Sequence, residues 1–177
     1  DKRWMYEESL RTPLLIRWPG VIKPGSRNGD IVSPIDFAGT FCEVAGIDAP
    51  TDLHGLSMAQ LLKGNTPKDW RKSFYYHYYE YPGYHWVRRH YGVADGRYKL
   101  IRFYEDDVDQ WELFDLNSDP KEMTSVYGRP QYAVIQNQLS QQLALHRQRL
   151  GVPEVDPPQS FIKGKPPRTR IPTAPGK

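Results

Sequence analysis

Residues 74–116 read FYYHYYEYPGYHWVRRHYGVADGRYKLIRFYEDDVDQWELFDL. Aromatic and β-branched residues concentrate in Tyr98–Tyr104 and Gln110–Asp115, and Asp95-Gly96 between two such runs is a strong short-range signal for a two-residue hairpin. The stretch predicts an antiparallel sheet in which the chain doubles back at Gly96. A period of two places His85, Val87, Arg89, Tyr91 and Val93 on one face, with Trp86, Arg88, His90 and Gly92 on the other. Each face mixes apolar with cationic residues, so parity alone does not say which is buried.

Downstream, Asn117-Ser118-Asp119-Pro120 is a turn cluster, and Pro130 opens a long helix ending at Gly151. Ile135, Leu139 and Leu143 form an i, i+4 stripe too short for a coiled coil, so the helix is expected to dock on the sheet. From Pro153 the chain is proline-rich and basic, expected to be extended or disordered and draped over the body. Upstream, Leu14-Leu15-Ile16 before Trp18-Pro19-Gly20 reads as a short buried strand stopped by a turn. Gly20–Gly29, with Pro24-Gly25 and Asn28-Gly29, reads as surface loop. Ser33 as N-cap, Pro34 at the first helical position and Asp36 in the first turn predict a core helix. Its apolar face is Phe37, Ala38, Phe41, Val44 and Ala45, and Gly46 closes it. A shorter helix follows over Ser57–Leu62, capped by Ser57, after a loop that carries His54.

The chain has 177 residues, enough for a sizeable core, a net charge of +3 and a sequence pI near 8.9. Lys163, Lys165, Arg168, Arg170 and Lys177 in the tail supply much of the excess, which suits an anionic substrate better than nucleic acid. The single cysteine, Cys42, makes no internal disulfide and no multi-cysteine zinc site, and is expected to be a buried structural thiol. No apolar run approaches the roughly 20 residues that span a bilayer. The chain starts at Asp1 without an initiator methionine or an apolar leader, and the expectation is the C-terminal piece of a longer protein.

Phosphate-binding glycine loops, Cys-x-x-Cys, His-Glu-x-x-His and Gly-x-Ser-x-Gly are all missing from the sequence. The acidic group Glu105, Asp106, Asp107 and Asp109 lacks the glycine and terminal glutamate of a helix-flanked calcium loop, and a hairpin between strands explains it. His85 and His90 fall on opposite faces of a regular strand, which argues against a shared zinc. There remains a cationic lip of His77, His85, Arg88, Arg89 and His90, bordered by Tyr79, Tyr81 and Tyr84 around Pro82-Gly83. Aromatic planes beside such cations suit a sugar carrying an anionic group; an ordinary sheet with its arginines in water is the other reading.

The ordered motifs Lys2-x-x-x-Tyr6-Glu7-x-x-x-Arg11-x-Pro13, Trp18-Pro19-Gly20 and Val32-Ser33-Pro34-Ile35-Asp36 resemble the segment closing the catalytic domain of type I sulfatases. Gly96-Arg97-Tyr98-Lys99-Leu100-Ile101 and Glu112-Leu113-Phe114-Asp115-Leu116-x-x-Asp119-Pro120-x-Glu122 resemble the C-terminal subdomain of the same family, over roughly Asp1 to Leu150 in all. The resemblance implies an α/β fold: the C-terminal end of an alkaline-phosphatase-like catalytic domain, plus a small antiparallel-sheet subdomain with one packed long helix. It divides the chain into 1–72 (end of the catalytic domain), 73–151 (sheet and helix) and 152–177 (tail).

In that family a cysteine or serine oxidised to formylglycine attacks sulfur beside a calcium ion. Cys42 is not in the required Cys-x-Pro-x-Arg setting, so the nucleophile and the Ca2+ ligands are expected before Asp1, in an N-terminal catalytic half, and the fragment alone is expected to be inactive. The resemblance implies a sulfate contact for Lys2, whose ammonium would offset charge on the sulfate oxygens, with Glu7 and Arg11 bracing that loop. The stretch Glu80 to Val93 is similar to bacterial members grouped with N-acetylglucosamine-6-sulfatases and related heparan or mucin sulfatases. This implies sugar contacts from His85 first, then Arg89 and His90, and a periplasmic or secreted enzyme acting on sulfated glycans. The alternatives are a non-catalytic module for anionic glycans and a phosphatase or phosphonate hydrolase of the same superfamily.

Overall fold

The computed structural model describes residues 3–81, 83 and 85–156. In chain order these form α1 (Glu7–Leu10), α2 (Asp36–Ala45), α3 (Ala59–Leu62), β1 (Phe74–Tyr78), β2 (His90–Ala94), β3 (Tyr98–Glu105), β4 (Val108–Asp115), a 3-10 turn (Pro130–Tyr132) and α4 (Ala133–Arg149). The strands make a four-stranded antiparallel meander in the order β1-β2-β3-β4. The chain turns one residue later than the Asp95-Gly96 signal implies, about Gly96-Arg97. Asp95 N–H donates to the Tyr98 carbonyl at 3.1 Å, and the Asp95 carboxylate accepts from Arg97 and Tyr98 N–H at 3.0 and 2.7 Å. Gly96, at φ 89°, takes the left-handed conformation that such a turn needs.

The period of two resolves once both faces are seen to be covered. One face presents Tyr91 and Val93 of β2, Leu100 of β3 and Leu113 of β4 to Leu139 and Leu143 of α4 and to Val126. The i, i+4 stripe is thus a docking face, as its spacing predicts. The other face presents Ala94, Ile101, Phe103 and Phe114 to Met5, with Trp4, Tyr6 and Leu10 packed around it. Every residue of β2 is therefore buried. Gly92 lies under Met5: a Cβ there would come within 2.7 Å of the Met5 sulfur, closer than packed atoms approach.

Residues 13–72 form a separate compact unit, and the described residues before Pro13, grouped by the sequence with 13–72, pack on the sheet instead. The 13–72 unit has a small core of Met58, Leu61 and Trp70 with Val32, Phe37 and Leu62 against it. Here several expectations are corrected. Leu14-Leu15-Ile16 is no buried strand: the run is assigned to no strand, and Leu15 is 93 % exposed. Helix α2 runs over Asp36–Ala45 and ends at a left-handed Gly46 as expected, but Phe41 and Val44 are exposed and Cys42 is only half-buried. The helix turns Asp36, Gly39 and Thr40 inward: Asp36 and Thr40 make hydrogen bonds there, and Gly39 lies against Leu53, Leu56 and Ser57. The fully buried Asp36 carboxylate accepts from Ser33 N–H, Leu56 N–H and Arg71, each at 2.8 Å. The capping direction is thus reversed: Asp36 reaches back to Ser33, and the Ser33 hydroxyl does not cap.

Candidate functional site

Lys2 lies outside the described residues. The segment that follows it is held firmly. The Arg3 carbonyl accepts from Tyr76 O–H at 2.7 Å, and Met5 N–H donates to His90 Nε2 at 3.2 Å. Tyr6 O–H donates to Glu112 at 2.8 Å, and Glu7 N–H to Glu122 at 2.6 Å. At the centre is Lys99, 0 % exposed, whose ammonium lies 2.8 Å from Glu7 and 2.7 Å from Glu122. Glu7 braces the loop as the resemblance implies; the Arg11 side chain is exposed, and its N–H donates to the Glu7 carbonyl at 2.8 Å. Burial pushes the Glu112 and Glu122 carboxyls above their ordinary range. Lys99 is the cation between Glu7 and Glu122, and Glu122 in turn acts on Glu112.

Lys99, Glu112 and Glu122 are absent from the candidate residues named on sequence, although Lys99 left a trace. It alternates with Ile101 and Phe103 on one face of β3, and a lysine in an inward position needs an anion beside it.

His90 is corrected. It is 0 % exposed, packed between Trp4 at 5.4 Å, Tyr78 at 5.6 Å and Phe103 at 5.2 Å, and so cannot meet a sugar. Its Nδ1–H donates to the Arg88 carbonyl at 2.7 Å while Nε2 accepts from Met5, which fixes a neutral tautomer. Burial lowers its pKa to about 4. The ring is a clip that fastens residues 3–6 to the sheet.

The remaining residues of the lip separate. His85 is half-buried in the connection between β1 and β2, next to Trp86 at φ 52°. The arginines are part-exposed, and the acidic residues about the β3–β4 hairpin pair with them. Arg88 pairs with Asp107 at 2.7 and 2.8 Å and lies over the Tyr81 ring at 4.7 Å. Arg102 pairs with Asp109 at 2.8 and 3.0 Å. Arg89 pairs with Glu105 at 2.6 Å and Asp156 at 3.0 Å. The acidic group is thus the counter-charge of the arginines, and among the described residues no three His, Cys, Asp or Glu side chains converge as metal ligands. His77, on the opposite face from His90, lies in a hydrogen-bonded row with Tyr75 at 2.7 Å and Tyr104 at 2.6 Å.

Comparison with known proteins agrees with this architecture. Over 145 residues the chain is 50 % identical to an N-acetylglucosamine-6-O-sulfatase of Bacteroides thetaiotaomicron, covering 81 % of the chain and 26 % of that protein. It is 34 % identical over 132 residues to arylsulfatase K of Xenopus laevis, covering 72 % of the chain and 24 % of that protein. The chain therefore spans about a quarter of the length of these curated relatives. Among solved structures, BT4656 in complex with its substrate D-glucosamine-2-N,6-O-disulfate superposes with a TM-score of 0.83 at 46 % identity, over 87 % of the chain and 31 % of that chain. A phosphonate monoester hydrolase from Silicibacter pomeroyi superposes with a TM-score of 0.63 at 27 % identity, over 75 % of the chain and 28 % of that chain. The antiparallel meander with its long packed helix is a sulfatase C-terminal subdomain. Residues 1–149 match the family model described as N-sulphoglucosamine sulphohydrolase, C-terminal, and the chain belongs to that sulfatase family.

Proposed function

We propose that the chain is the C-terminal part of a periplasmic or secreted sulfatase that hydrolyses sulfate esters of glycans, of the N-acetylglucosamine-6-sulfate type, in glycosaminoglycan degradation. The observation that carries this reading is the 50 % identity to an N-acetylglucosamine-6-O-sulfatase across most of the chain. Residues 1–72 then close the catalytic domain, 73–151 form the C-terminal subdomain, and 152–177 are its proline-rich basic tail. The nucleophile and a calcium ion belong to the N-terminal catalytic half, so this chain alone is inactive.

In this reading Lys2 places an ammonium against the sulfate group and offsets charge as the S–O bond breaks. The anchoring of the residues just after it supports that role, because a group that stabilises a transition state must be held in place beforehand. His85 contacts the sugar, and Arg89, paired with Glu105 and Asp156 but still part-exposed, offers it hydrogen-bond donors.

The test is turnover of N-acetylglucosamine-6-sulfate by the full-length protein and its Lys2→Ala variant. The variant is expected to stay folded and lose on the order of 100-fold in kcat, the loss typical when one transition-state donor is removed; unchanged turnover rejects the role. The likeness to a phosphonate monoester hydrolase supports a second reading, phosphonate or phosphate ester hydrolysis. Release of phosphate or phosphonate in place of sulfate would select it.

A further inference from the structure

After α4 the chain passes over the edge of the sheet with its burial inverted. Val155 is 82 % exposed, while the Asp156 side chain is 7 % exposed. Apolar contact does not hold this segment; a carboxylate does. Asp156 Oδ2 lies 3.0 Å from the Arg89 guanidinium and accepts from Tyr104 O–H at 2.6 Å. Its other oxygen is 3.9 Å from His77 Nε2.

The hydrogen-bond directions converge on this carboxylate. Because Tyr104 donates to Asp156, its oxygen is left to accept from His77 Nε2–H at 2.6 Å. His77 Nδ1 then accepts from Tyr75 O–H at 2.7 Å, and Tyr75 accepts from Arg147 at 3.3 Å. Every donor in the row points toward one place, and that place must hold an acceptor. Asp156 is also an ion-pair partner of Arg89, which it shares with Glu105, and the Arg147 guanidinium lies nearby over the Tyr91 ring at 4.3 Å.

We propose that Arg89 and Tyr104, with His77 orienting the Tyr104 hydroxyl from behind, form an anion-binding pocket at one end of the sheet, and that Asp156 is its internal ligand. The carboxylate latches the segment after α4, and with the latch out the pocket takes a sulfate or carboxylate group, the two anionic groups of a sulfated glycan. The other bonds of the described part of this segment run back to the last turn of α4: Leu150, Gly151 and Val152 N–H donate to the His146, Gln148 and Arg147 carbonyls at 3.0, 3.1 and 2.9 Å, and the Arg147 guanidinium donates to the Pro153 carbonyl at 3.2 Å. Among the described residues, Asp156 is thus the group that ties the segment to the sheet. The pocket shares Arg89 with the sugar edge of the sulfatase reading and rests on that reading for its ligand class, but its test uses neither Lys2 nor turnover.

The experiment uses the full-length chain and Asp156→Asn, which keeps the shape and removes the charge. Cleavage after Glu154 by a glutamate-specific protease reads the latch. It is expected to rise at least about tenfold in Asp156→Asn, because a charge-assisted hydrogen bond is lost and the open form is cut. Inorganic sulfate reads the pocket: Asp156→Asn gains a saturable site, measured calorimetrically against sodium chloride at equal ionic strength. The parent lacks that site, and the added change Tyr104→Phe removes it. Unchanged cleavage overturns the latch; faster cleavage without Tyr104-dependent sulfate binding overturns the pocket. Should Asp156→Asn misfold, Tyr104→Phe alone, which keeps the Arg89 pair, is expected to raise the cleavage rate severalfold, and no rise counts against the latch. Loss of turnover on sulfated sugar would leave both results standing, so the two readings fail separately.

Discussion

The two faces of the sheet are held by different forces. Toward α4 the central contact is apolar, Val93, Leu100 and Leu113 against Leu139 and Leu143, beside the hydrogen-bonded row of Tyr75, His77 and Tyr104. Toward residues 3–10 the contact is built around charge: Lys99 between Glu7 and Glu122, Tyr6 on Glu112, and His90 on Met5. Apolar packing tolerates an approximate fit, whereas a buried ion cluster is costly to disturb and fixes one geometry. The face that requires one geometry is the one carrying the segment that begins beside Lys2. The helix face supplies stability, and the ionic face supplies position.

The sharpest way to break this contrast is Lys99→Met. Removing the cation leaves the buried Glu122 carboxylate and the part-exposed Glu7 carboxylate without their partner, and a loss of about 3–5 kcal/mol is expected. Residues 3–10 should open first, read as loss of amide protection at Met5 and Glu7. Adding Glu122→Gln should recover part of the loss, and the deficit should shrink at acid pH, where Glu122 and Glu112, already pushed up by burial, take up protons. Leu139→Ala on the other face should cost about 2–5 kcal/mol through its cavity and leave the Met5 and Glu7 amides protected below the global transition. If both variants release residues 3–10 equally, the faces are one cooperative layer and the contrast fails.

A titration sharpens it next. The buried His90 ring has its pKa lowered to about 4, against an ordinary histidine value near 6.5. Between those values the unfolded chain binds the extra proton, so this group's contribution is complete above pH ~6.5 and is lost as the pH falls toward 4. The slope is at most roughly 1.4 kcal/mol per pH unit for the one group. Glu112 and Glu122 act in the opposite sense, because raised carboxyl pKa values favour the folded state at lower pH. The specific signature is therefore local: the Met5 amide, whose acceptor is His90 Nε2, should lose protection on acidification before Leu139 and Leu143 do. Equal loss at all three would remove His90 from the account.

What was legible in the sequence was local. The hairpin about Gly96, the stripe of α4 and the left-handed Gly46 are each signalled within a few residues, and each is found. What was not legible depends on partners far along the chain: Met5 with His90, and Glu7 with Glu122, are separated by 85 and 115 residues. Parity in β2 could not choose a buried face because both are buried, and that is why His90 passed for a surface residue. Leu14–Ile16 and Phe41 show the converse. Periodicity identifies an apolar face but says nothing of what covers it, and in the 13–72 unit the described residues leave these exposed. Lys99 could have been found by asking why a lysine alternates with Ile101 and Phe103.

The smallest expected effect concerns the arginines that sequence assigned to substrate or solvent. Arg88 is bidentate with Asp107, but Asp107 is 62 % exposed, so the pair is screened by water and salt. Arg88→Gln should cost less than about 1 kcal/mol. Its guanidinium also lies over Tyr81, beside the connection that holds His85, so the consequence is more local than global. If His85 is the sugar contact, Arg88→Gln in the full-length protein should raise KM for the sulfated sugar with kcat nearly unchanged, because the loop that presents the histidine has lost a strut while the sulfate end is untouched. A fall in kcat with KM fixed would mean that this hairpin supports the reacting end, and the division of labour between an ionic face that positions and an edge that selects would have to be redrawn.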